Sequence, residues 1–86
     1  MAKKEMNTQI VVLDRGYVYV GKTTVDGDFV TIENAKNIRR WGTTAGLGEL
    51  AKNGPTDDTR LDEAGTVTAP LRAVIHFITC QPNTKF

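Results

Sequence analysis

Serine is missing from this sequence altogether, and cysteine, histidine and tryptophan occur once each, as Cys80, His76 and Trp41. Without serine there is no serine nucleophile, and a single cysteine excludes both an intrachain disulfide and a cysteine-rich structural zinc site. The lone thiol fits a reducing compartment. One histidine leaves no histidine pair for a metal within one chain, although an oligomer can gather one His76 from each subunit. His76 and Cys80 lie four residues apart on one expected strand, about 13 Å of rise, too far for a thiolate–imidazole dyad. Long apolar runs are absent too: none approaches the roughly 20 residues that span a bilayer, and Met1 to Asn7 lacks the apolar stretch of a secretory signal. The expectation is a cytoplasmic protein with no membrane contact. Charge of one sign is equally scarce, since 11 Lys and Arg against 10 Asp and Glu leave a net charge of +1. No global field draws in nucleic acid or an anionic surface, so any anion site has to be local.

What is present suffices for one domain. Eighty-six residues, 40% hydrophobic and 24% charged, supply a single core and enough apolar surface to offset chain entropy. Residues 1–7 read as a flexible arm, 8–80 as the domain and 81–86 as a tail. Gln9 to Leu13 and Tyr17 to Thr23 are β-forming runs separated by Asp14-Arg15-Gly16, and Tyr17 and Tyr19 share one face of the second. Asp26-Gly27 marks a tight hairpin into Phe29 to Glu33. Asn34 to Asn37 is turn-like, and Ile38 to Trp41 reads as a separate short strand ended by Gly42. A short helix over about residues 44–53 follows, with Thr44 as its cap, Leu47, Leu50 and Ala51 at helical spacing, and Gly54-Pro55 as its stop. Residues 55–65 read as a polar loop anchored by Leu61, Thr66 to Ala69 as a strand ended by Pro70, and Val74 to Thr79 as a last strand. The nearly unbroken apolar character of that last strand predicts burial on both faces, through subunit contact in a homo-oligomer.

Five or six short strands with one helix predict a mainly β fold, a small barrel whose closure would remove exposed edges. Residues 16 to 41 resemble the strand–turn–strand plan of SH3-like and Sm-like barrels. The segment Ile38 to Thr56 (IRRWGTTAGLGELAKNGPT), with Pro70 to Val74 (PLRAV), resembles a family of short proteins from tailed phages and prophages. That resemblance implies a phage product acting in the bacterial host cell, and it brings no activity or site residues with it.

The segment richest in chemistry runs from Arg39 to Gly48. Arg39, Trp41, Thr43, Thr44 and Gly46 combine a guanidinium, an aromatic face, two hydroxyls and the free N–H groups of a helix start, the parts needed to hold a phosphate and stack a base. Strand alternation sends Arg39 and Arg40 to opposite faces, and Arg39 is the one assigned to the site. The plainer reading makes Trp41 core, Thr44 a cap and the arginines solvated. Tyr17 and Tyr19, near Lys22, form a candidate stacking surface, or simply pack over the end of the fold. Asp57, Asp58, Asp62 and Glu63 match no EF-hand spacing and read as a solvated acidic loop rather than a metal site. There is no P-loop spacing, paired carboxylate or cofactor fingerprint, so no cofactor is expected and an enzyme is disfavoured. Three readings remain: a homo-oligomeric binding protein that captures a phosphorylated small molecule, such as a host nucleotide signal, or a host protein; a structural or adaptor protein of phage assembly; and a small nucleic-acid-binding barrel.

Overall fold

A computed structural model describes residues 4–81, 84 and 86. The β-branched runs become five antiparallel strands, β1 (Lys4–Leu13), β2 (Val18–Asp26), β3 (Phe29–Arg40), β4 (Arg60–Pro70) and β5 (Val74–Thr79), with one helix, α1 (Gly46–Asn53), between β3 and β4. They form one sheet in the order β4-β3-β2-β1-β5. Strands β1 to β4 are a meander, and β5 returns to the other side of β1, with Gln9 opposite Thr79 and Val12 opposite His76. The mainly β fold with a single helix is as the sequence predicts. Closure into a barrel is not: β4 and β5 are the two edges of an open sheet.

Alternation along β1 divides the apolar residues between two faces. On one face Ile10 joins Val18, Val20 and Ile38, and the cover is α1, whose Leu50 and Ala51 are buried there with Cys80 while Leu47 and Phe86 pack at the margin. The other face has no α-helix, only Leu71 and Ala73 of the 3-10 turn between β4 and β5. Val11 and Leu13 of β1, with Val74 and Phe77 of β5, instead meet Val30, Ile32, Val67 and Ala69 of β3 and β4, so the sheet covers itself by curling. A crease permits this. Gly21 lies where the β2–β3 register shifts between Val20 and Lys22, and a Cβ there would stand 2.7 Å from Ile32 Cγ2 and 2.8 Å from the Glu33 carbonyl oxygen. Ala35 pairs with Gly65 on the next strand, which continues the line of small residues across the sheet. Asn34 is the extra residue of the bulge, with φ at 52°, a left-handed conformation that asparagine tolerates better than most side chains. The curl also buries Gln9 and Thr23, and both are satisfied: the Thr23 hydroxyl donates to Gln9 Oε1 at 2.7 Å, and Gln9 Nε2 donates to Thr79 Oγ1 at 3.2 Å. With a radius of gyration of 12.2 Å, the chain is as compact as a globule of its length, about 12 Å.

Several local expectations are corrected. The bulge at Asn34 keeps residues 34–37 in the ladder, so Ile38 to Trp41 is no separate strand but the end of β3, which closes at Arg40. The polar loop expected to run to residue 65 gives way at Arg60 to β4, whose polar residues reflect an edge position with little cover, while Leu61 does anchor it in the helix-side cluster. Thr44 does not cap α1; Ala45 occupies that position with no side-chain cap of its own. β5 has the expected bounds, yet within one chain Ile75 and His76 are exposed rather than buried. Tyr17 precedes β2 rather than lying in it. Of the expected arm, residues 1–3 lie outside the described residues, and β1 begins at Lys4. Residues 82, 83 and 85 of the expected tail also lie outside them, while Lys36 Nζ donates to the Phe86 carbonyl at 2.6 Å.

Candidate functional site

The candidate site begins where β3 runs out. After Arg40 the chain passes through Trp41 to Gly42, which has φ at 67° and whose missing Cβ leaves room for the Asp58–Thr59 backbone. That approach is latched by two threonines. Thr59 Oγ1 donates to the Trp41 carbonyl and Thr56 Oγ1 to the Gly42 carbonyl, both at 2.6 Å, so the loop after α1 is fastened to the segment before it. Sequence reasoning missed both threonines, although a Thr-x-x-Thr among Pro and Asp residues is the local composition of a turn whose hydroxyls bond backbone.

The expected phosphate cradle is already filled from within. Glu49, in the first turn of α1, turns its Oε1 back to accept the Ala45 N–H at 2.9 Å and the Thr44 hydroxyl at 3.1 Å. A carboxylate at a helix start is stabilised by the same partial positive charge that would draw a phosphate. Thr43 is committed as well, donating its hydroxyl to the Gly46 carbonyl at 2.7 Å. Gly46 has φ at 78° and serves as the first helical residue. Thr43, Thr44 and Gly46 thus come together, but as the framework of the helix start. An acidic residue in the first turn is the sequence signal that points to Glu49.

Arg39 is separated from that framework. Its Nε donates to Asp62 Oδ2 at 2.9 Å across the β3–β4 ladder, and both side chains are at least half exposed. On the opposite face of the sheet Lys36 and Glu63 stand 3.8 Å apart. Screened pairs of this kind contribute little to stability. Tyr19 lies opposite Asn37 and Val11, and Asn37 lies opposite Asp62, so these residues form one cross-strand row. Two residues further along β3, Arg39 lies on the same face and at the same end of the sheet as Tyr17. The structure therefore unites the tyrosines with Arg39, two groups that are separate in sequence. Tyr19 is half-buried against the curled cluster, whereas Tyr17 is 57% exposed and Trp41 43% exposed. Trp41 is not core.

Other chemistry is sparse. Two open grooves, of about 370 and 440 Å³, lie elsewhere, one lined by Lys22, Glu33, Asn34 and Lys36 and the other by Asp28, Leu71 and Arg72. Among the described residues no three His, Cys, Asp or Glu side chains gather to hold a metal, and no helix is long and apolar enough to cross a membrane. Burial pushes the Cys80 thiol up to about 11, with a backbone hydrogen bond at Ile10 offsetting part of the rise, so it is a packing group rather than a nucleophile. No family model, curated protein or solved structure matches the chain.

Proposed function

We propose that this chain is a non-enzymatic binding module whose partner is another protein, met at the end of the sheet that carries Tyr17, Tyr19, Arg39 and Trp41. One observation carries the reading: Glu49 accepts from the Thr44 hydroxyl and the Ala45 N–H, Thr43 donates to the Gly46 carbonyl and Arg39 is paired with Asp62, while Tyr17 and Trp41 remain exposed. Tyrosine, tryptophan and arginine are the residues that most often anchor protein interfaces, because they bury large surfaces at low entropic cost. A bound phosphate would have to displace the Glu49 carboxylate or sit beside it, which counts against capture of a nucleotide. A single nucleic-acid strand would need cations beside the tyrosines, and Arg39, the one on their face of β3, is paired with Asp62. The curled sheet is read as a variant of the small SH3-like or Sm-like plan, opened between β4 and β5. The setting, a phage or prophage product in the bacterial cytoplasm with a role in assembly, rests on the resemblance of residues 38–56 and 70–74.

The test is site-specific photo-crosslinking from position 17 in cells producing phage. A discrete protein adduct that disappears in Trp41→Ala, while the variant keeps its thermal unfolding midpoint, is the expected result. Adducts to nucleic acid, or an adduct indifferent to Trp41, would overturn it. A nucleotide that binds the purified chain and is lost in Arg39→Ala would replace this reading with ligand capture.

A further inference from the structure

Asparagine followed by glycine is the pair at which a peptide chain most readily modifies itself, because no Cβ on the glycine hinders its nitrogen from attacking the asparagine side chain. Five asparagines occur in the sequence, and Asn53 alone precedes a glycine. Asn53 is the last residue of α1 and is exposed, so water reaches its amide and ammonia can leave, whereas Gly54 is buried.

The fold holds the attacking atom back. The Gly54 N–H donates to the Leu50 carbonyl at 2.8 Å, the bond that closes α1, and the nitrogen becomes a nucleophile only when that proton is lost. Gly54 is fixed there by a φ of 84°, a conformation that helix ends reserve for glycine. The same turn carries the helix cover. Leu50 and Ala51 are buried against the sheet, and the Ala51 carbonyl accepts the Gln81 N–H at 2.9 Å from the chain that follows β5.

We propose that Asn53 is a self-modification site, gated by opening of the last turn of α1, and that its product keeps the turn from re-forming. Once the turn opens and a base in solution takes the Gly54 proton, the Gly54 nitrogen bonds to Asn53 Cγ, the Cγ–Nδ2 bond breaks, and Nδ2 leaves with a proton from water as ammonia. The cyclic imide that remains takes up water at either carbonyl. One opening gives an aspartyl residue, and the other gives an isoaspartyl residue whose main chain runs through Cβ and Cγ and is one methylene longer. Both leave a carboxylate at the C-terminal end of the helix, where the helix dipole disfavours negative charge. The isoaspartyl form also carries the Gly54 N–H out of register with the Leu50 carbonyl. Only water and base take part, and the reaction does not depend on what the aromatic end binds.

The test is incubation of the full chain at mildly alkaline pH, in buffer and in urea that unfolds it, followed by peptide mass mapping. The mass gain of amide to carboxylate is expected at Asn53 in both, and about tenfold or more slower in buffer. Asp26-Gly27 passes through the same imide by losing and regaining water, so it leaves no mass gain. Exchange and attack both need the Gly54 N–H set free, so the slowing should match the hydrogen-exchange protection of that one amide within about threefold. Equal rates in buffer and urea, or a slowing unrelated to that protection, overturn the gate. A mass gain of the same size in Asn53→Gln overturns the site. The modified chain, separated by its added charge, is expected to unfold at lower urea than the fresh chain, and an unchanged midpoint overturns the claim that the product keeps the turn open.

Discussion

One face of the sheet takes its cover from a helix, and the other takes it from the sheet's own curl. The helix-side cluster is modular: Leu50 and Ala51 come from one short element, and Ile10, Val18, Val20 and Ile38 receive them as a ready surface. The curled cluster takes only Leu71 and Ala73, of the short turn between β4 and β5, from outside the strands, so its burial depends on Gly21, Ala35 and Gly65 letting the sheet bend. A modular face can lose contacts one at a time. A curled face depends on a backbone approach for which no side chain compensates.

The largest effect is therefore expected at the crease. Gly21→Val drives a branched side chain against Ile32 and the Glu33 backbone, and a loss of about 3 kcal/mol or more in urea unfolding is expected. A loss below about 1 kcal/mol would mean that the crease is soft and the contrast between the faces false. The next effect lies within the curl. Thr23→Val keeps the shape but leaves Gln9 Oε1 without its donor in a buried site, for a cost of about 1–3 kcal/mol. The double variant Gln9→Leu/Thr23→Val removes both partners and is expected to cost less than the sum of the two single changes, a non-additivity that a double-mutant cycle would measure.

The smallest effect sharpens the comparison from the helix side. Cys80 rises from 9.0 to about 11 on burial, so the folded chain holds its thiol proton where the unfolded chain has released it. Its contribution to stability is fully present below pH 9 and falls as pH rises from about 9 to 11, by about 1–3 kcal/mol. The quantity to measure is the difference in stability between the unmodified chain and Cys80→Ala across that window, which should shrink with pH. A difference that stays constant would mean that Cys80 is not held from solvent and that the helix cover is loose.

The parts of the fold legible in sequence were those marked by local chemistry. The Asp26-Gly27 turn, the end of α1 at Gly54 and the bounds of β5 depend on residues next to one another, and all three appear as expected. The first half of β4 was hidden because an edge strand with little cover has no need to alternate and its polar residues look like a loop, whereas Thr66 to Ala69 was legible as a strand. β3 was cut short because Asn34 resembles a turn residue both in a turn and in a bulge. Of the candidate site, the helix start was visible, but its occupant was not, since Glu49 lies outside the usual capping-box spacing from Thr44. The partner of Arg39 was equally hidden: Asp62 is 23 residues away and meets it only through the β3–β4 register. That pairing is a property of the sheet and not of any segment.

The pairing of β1 with β5 also sets a schedule for synthesis. Ile10 to Leu13 can find β2 as soon as that strand leaves the ribosome, but the other side of β1 waits for residues as distant as Thr79, 70 positions beyond Gln9. Throughout that interval a four-residue apolar stretch has one side open, on a polysome crowded with identical nascent chains. How long it stays open is governed by translation speed across the intervening codons, not by how stable the finished sheet is.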